Sequence, residues 1–135
     1  MVFSPNWHHP AIRILGSEVT LMATLAFIAP ILPGKEQVDK EWMQEATGPR
    51  QADFVAWRKS QGITREAVWH QQTPQGTVAI VYLEADDPQQ AMQSMGSSKE
   101  PIAEWFRQRI LEVHGLDLSQ PPPGPLPELV FDERY

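Results

Sequence analysis

The chain has 135 residues, 41% hydrophobic and 21% charged, with 13 prolines, no cysteine and a net charge of −6. That balance describes one globular domain able to build a core, and excludes collagen-like and wholly disordered chains. Eleven Lys and Arg spread along an acidic chain without a basic cluster argue against nucleic acid and anionic membrane surfaces as partners, and without cysteine there is no disulfide, thiolate metal site or cysteine nucleophile.

Residues 1–21 show no sustained period and read as a loosely ordered N-terminal extension, leaving residues 22–135 as a single domain. Met22 to Ala29 (MATLAFIA) reads as a strand closed by the breakers Pro30, Pro33 and Gly34. The surrounding apolar stretch from Leu21 to Leu32 contains Pro30 and falls well short of the roughly 20 residues that cross a bilayer. A soluble, cytoplasmic protein is therefore expected.

A helical face follows, with Val38, Trp42, Met43 and Ala46 at i, i+4, i+5 and i+8. Gly48-Pro49 interrupts it, and a second piece from Gln51 to Gln61 carries Phe54, Val55, Trp57 and Arg58, with Gly62 as its C-terminal cap. Thr64 to Gln72 and Thr77 to Glu84 form a hairpin around the turn Thr73-Pro74-Gln75-Gly76. Asp87-Pro88 opens the next helix, because the Asp caps free N–H groups and the Pro suits the first helical position. Ser98 with Pro101 restarts a longer helix to His114, closed by Gly115, whose stripe is Ile102, Phe106, Ile110 and Val113. Leu116 to Pro127 is a proline-stiffened linker, and Glu128 to Asp132 reads as a last short strand.

The resulting order is βαββαβ. Right-handed crossovers then predict an α+β, ferredoxin-like fold: a four-stranded antiparallel sheet with the helices on one face. Both faces of the strands are apolar: Leu25 and Phe27 oppose Met22, Ala26 and Ile28, while Val78, Ile80 and Tyr82 oppose Ala79, Val81 and Leu83. A twice-apolar sheet needs a cover on its second face. A homodimer packed sheet to sheet is the simplest one.

The βαββαβ order, the strands MATLAFIA and TVAIVYLE, and the helix start Asp87-Pro88-Gln89-Gln90-Ala91 resemble the dimeric α/β-barrel superfamily over about residues 22–135. GITREAVWHQQTPQG, TVAIVYLEADDP and the tail HGLDLSQPPPGPLPELVFDE are similar to bacterial members of unassigned function. The resemblance implies dimerisation of such sheets into an α/β barrel and a ligand held between sheet and helices. It also implies company that includes cofactor-free monooxygenases, lactone isomerases, haem-degrading enzymes and small stress-responsive or binding proteins.

Among single residues, His70 is the catalytic candidate. Strand alternation sends Trp69 and His70 to opposite faces, so one of them faces the helices. An imidazole there suits general-base work or ligation of a metal or haem. The competing reading is a strand-edge or interface histidine bonded to a neighbour. Trp42, Trp57, Trp69, Tyr82 and Trp105 are the candidates for an aromatic pocket; the competing reading makes the tryptophans core. His114 reads as a helix-end residue that meets the exposed carbonyls. Glu84, Asp86 and Asp87 cluster before a helix, with Asp87 a cap. His8-His9 lack partners at ligand spacing, so neither a metal nor a cofactor is expected. Two functions follow: binding of a small apolar or aromatic ligand between sheet and helices, or a cofactor-independent enzyme of monooxygenase or isomerase type that uses His70.

Overall fold

The computed structural model describes residues 10–15 and 18–135, with side chains from residue 23 onward. Strand β1 (Pro10–Leu15) turns back into β2 (Glu18–Pro30), which leads to helices α1 (Glu36–Ala46) and α2 (Gln51–Ser60). The hairpin β3 (Ile63–Thr73) and β4 (Gly76–Ala85) follows, then α3 (Pro88–Ser97) and α4 (Pro101–His114).

The central sheet is three antiparallel strands in the order β2-β4-β3, and the short β1 pairs only with Glu18 to Ala23 of β2. The pairs Leu25↔Leu83 and Phe27↔Val81 continue across β4 to Glu66 and Val68, so these six residues share one face. The helices cover that face: Ala23, Leu25, Ala29, Ala79, Leu83 and Ala85 are buried. Alternate residues point away, where Ile28 is 61% and Trp69 55% exposed.

The core is aromatic. Phe106 of α4 meets Trp42 of α1 edge-on at 5.5 Å and Trp57 of α2 at 5.2 Å between ring centroids. Trp105 packs against Trp42 from the other side at 6.0 Å, with the Arg50 guanidinium 4.6 Å over its ring. Such offset and edge contacts suit the ring quadrupoles, which repel in a face-to-face sandwich. Local chemistry places the helix ends as the sequence dictates. Asp87 accepts from the Gln90 N–H at 3.1 Å at the start of α3, with Pro88 in its first turn. Gly115 closes α4 at φ +69°, a left-handed conformation that glycine adopts without a Cβ clash.

The ferredoxin-like expectation is corrected here. Residues 116–135 contain no helix or strand, so Glu128 to Asp132 adds no fourth strand, and the flank of β2 carries the N-terminal β1. The reason lies in the prolines. They lack N–H groups to donate to a ladder, and the segment before Glu128 is held elsewhere. Leu118 and Leu126 pack on the core, while Val130 and Phe131 stand 83% and 74% exposed. The segment also leans on α3 at Gly96, where a Cβ would lie 2.2 Å from the Leu118 carbonyl oxygen. Only glycine permits that approach. The sheet likewise begins earlier than expected, since β2 starts at Glu18. The reading of residues 1–9 and 16–17 as extension, with His8 and His9, lies outside the described residues.

Candidate functional site

Between the sheet and the helices lies a cavity of about 1130 Å³. Its floor is the helix-facing side of the strands, including Phe27, Val68, Val81 and Leu83, and its walls include Trp42, Met43, Met92 and Ile110. The arm from Leu116 to Pro127 borders it, with Leu118 and Leu126 inserted toward the core.

Two polar clamps stand on the same face of edge strand β3, four residues apart, which is about 13 Å along a strand. At one, Asp39 of α1 is fully buried and both its oxygens are engaged. Trp42 Nε1–H donates to Oδ1 at 2.6 Å, and His70 Nε2 bonds Oδ2 at 2.7 Å. At the other, the Arg58 guanidinium of α2 donates from Nε and Nη2 to the two oxygens of Glu66, both at 3.0 Å. Arg58 Nη1 donates to Gln61 Oε1 at 3.0 Å, and Gln61 Nε2 reaches the Ala91 carbonyl of α3. The guanidinium also lies 4.6–5.0 Å over the rings of Phe54, Trp57 and Phe106. Burial lowers its pKa from the usual arginine value, and Glu66 opposes that shift by charge and hydrogen bonding. Charge-assisted, bidentate geometry is what makes a buried guanidinium tolerable.

The pocket candidates separate. Trp42 lines the cavity; Trp57 and Trp105 are buried in the aromatic core and are not part of its lining. Trp69 and Tyr82 lie on the opposite face of the sheet, paired across from Ile80 and Ala67 respectively. His70 does face the helices, yet the cavity lining does not include it; its ring is turned to Asp39. His114 Nδ1–H donates to the Pro30 carbonyl at 2.9 Å and joins the end of α4 to the end of β2. The three acids before α3 also part company. Asp87 caps the helix and Asp86 is exposed, while Glu84 is buried on the outer face, accepting from the Tyr82 hydroxyl at 2.8 Å with Arg65 at 3.6 Å. Asp39, Arg58 and Glu66 were not singled out by the sequence reading as site residues. For Asp39 and Arg58 the signal was a charge within an apolar stripe: Asp39 precedes Trp42 and Ala46 by three and seven, and Arg58 follows Phe54 by four.

An α+β protein with a ligand-sized cavity under its helices is what fold and site together define. The model of DUF6176, a family of unknown function, matches residues 22–114, and the chain belongs to that family. No curated protein and no solved structure matches the chain. Among the described residues, no helix is long and apolar enough to cross a membrane.

Two outcomes follow from this geometry. His70→Ala removes the donor from one oxygen of a fully buried carboxylate, which costs about 1–3 kcal/mol. Urea unfolding should show that loss, with His70→Gln recovering part of it; an unchanged midpoint would mean the clamp contributes nothing. On the outer face, burial first and then the bond to Glu84 push the Tyr82 phenol from 10.0 up to about 12. A raised folded value means that this stabilisation is whole below pH 10 and is lost as pH rises through about 12. In a Tyr135→Phe background, ultraviolet titration should find Tyr82 ionising near pH 12, and Glu84→Gln should move it down; a parent midpoint near 10 contradicts the coupling.

Proposed function

We propose that this protein binds a small apolar or aromatic molecule in the cavity between its sheet and helices. The observation that carries this reading is the size of the cavity together with its lining. A volume of 1130 Å³ lies slightly above the range of about 300–1,000 Å³ usual for small-molecule pockets. The space is partly open to solvent, and walls such as Phe27, Val68, Val81 and Ile110 offer water few partners. An apolar guest suits them better.

The alternative, a cofactor-independent enzyme of monooxygenase or isomerase type with His70 as base, draws on the Asp39–His70 bond, since a carboxylate on one ring nitrogen orients an imidazole. Binding is preferred because His70 is not part of the cavity lining and its Nε2 is already engaged.

The outer face supports a second copy of the chain as partner. Its rows run Ala26–Tyr82–Ala67 and Ile28–Ile80–Trp69, apolar except for the phenol. The Arg65–Glu84 pair in the adjoining row balances its own charge, so two copies of an acidic chain meet there without like-charge repulsion. Isologous contact needs such self-complementarity.

Calorimetric titration with 2-naphthalenemethanol should show saturable binding, weakened about tenfold or more, some 1.4 kcal/mol, when Val81→Trp fills the cavity floor. Ile110→Phe provides a second filled variant if the first does not fold. Equal affinity in parent and filled variants, or a parent that binds neither this alcohol nor the related naphthalene probes used below, sinks the cavity reading. For the second copy, light scattering should give about twice 15.3 kDa, and Trp69→Glu should return a monomer. A parent that is monomeric at micromolar concentration removes that partner.

A further inference from the structure

The charge arrangement around the cavity says which guest it takes. Among the described residues of the lining, Asp39, Glu66 and Asp117 set three carboxylates against one guanidinium, that of Arg58. The guanidinium is spent: Nε and Nη2 serve Glu66, Nη1 serves Gln61, and its plane is packed against Phe54, Trp57 and Phe106. Asp39 is closed as well, with each oxygen holding one donor and no exposed surface.

Glu66 differs. Its side chain is 28% exposed, and each oxygen accepts one bond from Arg58 while a carboxylate has about four acceptor positions. The bidentate grip fixes its orientation beside Leu83 on the cavity floor. Acceptor capacity without a spare cation is the polar character of this wall. Asp117, at the border, stays a carboxylate because the Ser119 N–H and hydroxyl both donate to it and hold it below the usual range. An anionic guest at Glu66 would thus lose its hydration shell and meet fixed negative charge beside a guanidinium whose donors are already engaged.

We infer that the ligand is an apolar molecule bearing a hydrogen-bond donor, an alcohol, phenol or amine, which Glu66 accepts, and that carboxylates and phosphates are rejected. This rests on the cavity-binding reading above and deepens it. The donor end sits at Glu66, beside the aromatic cluster, and the apolar body lies across Val68, Val81 and Phe27.

The test uses four probes on one skeleton with the full chain: 2-methylnaphthalene, 2-naphthalenemethanol, 2-naphthylmethylamine and 2-naphthoate. Titrations are run at physiological salt or above, where a Debye length of about 8 Å screens the long-range pull of an acidic protein on any cation. The alcohol and the amine should bind at least about tenfold more tightly than the naphthoate, with methylnaphthalene in between. Glu66→Gln should lower the amine affinity by about tenfold relative to methylnaphthalene and raise that of naphthoate relative to it, methylnaphthalene serving as the reference for any loosening of the Arg58 clamp. If naphthoate binds as tightly as the amine to the parent protein, the donor rule fails while the cavity reading stands. If none of the four binds, both fail together. The parent's ranking of probes decides the matter even if the variant does not fold.

Discussion

A buried arginine organises this domain. Arg58 has its guanidinium packed against three aromatic rings from α2 and α4, and the bidentate carboxylate of Glu66 balances its charge. A charge in that position is tolerated only while paired; removing one partner of such a pair typically costs about 3–5 kcal/mol. The pair therefore does more than add a contact. It fixes α2 to the edge strand β3, and through Gln61 it fixes α2 to α3. Hydrophobic packing alone tolerates sliding, whereas a planar fork on a carboxylate specifies register and angle.

The second clamp repeats the principle with different groups. Asp39 receives Trp42 from its own helix and His70 from β3, so α1 is held to the same edge strand that holds α2. Two helices pinned to one strand at points about 13 Å apart form a frame. The aromatic rings fill the frame on the helix side, and between them and the smaller Val68, Val81 and Ala79 the cavity remains. The histidine that invites a catalytic reading thus has a structural occupation, and the cavity's openness follows from how the frame is built. The proline arm then finishes the rim, because Gly96 admits its backbone against α3.

Much of this was legible in the chain before any coordinates. The period of Trp42, Met43 and Ala46, the hairpin around Pro74, the Asp87-Pro88 start and the Gly115 stop all lie where local chemistry puts them. Alternation placed Trp69 and His70 on opposite faces, and they are. The site was much less legible. Of the aromatic candidates only Trp42 lines the cavity, since a tryptophan in a helix stripe reads alike whether it fills a core or walls a pocket. Arg58 and Glu66 lie on different elements eight residues apart, and nothing local announces that a cation on one will meet an anion on the other.

The sequence by itself determined the helices α1 to α4, the hairpin, the two apolar faces of the strands and the acidic, cysteine-free character of the chain. Those properties depend on neighbours within a few residues, where backbone sterics, capping and periodicity decide. Only the tertiary structure decided where the last segment goes. Glu128 to Asp132 has the composition of a strand, yet a strand exists only when a partner's N–H and C=O groups stand free beside it, and the proline arm ahead of it is held by the core and by Gly96. The same holds for the buried charges. Whether an Asp in a stripe or an Arg after a Phe is solvated or clamped depends on what a distant strand brings opposite, and here β3 brings His70 and Glu66.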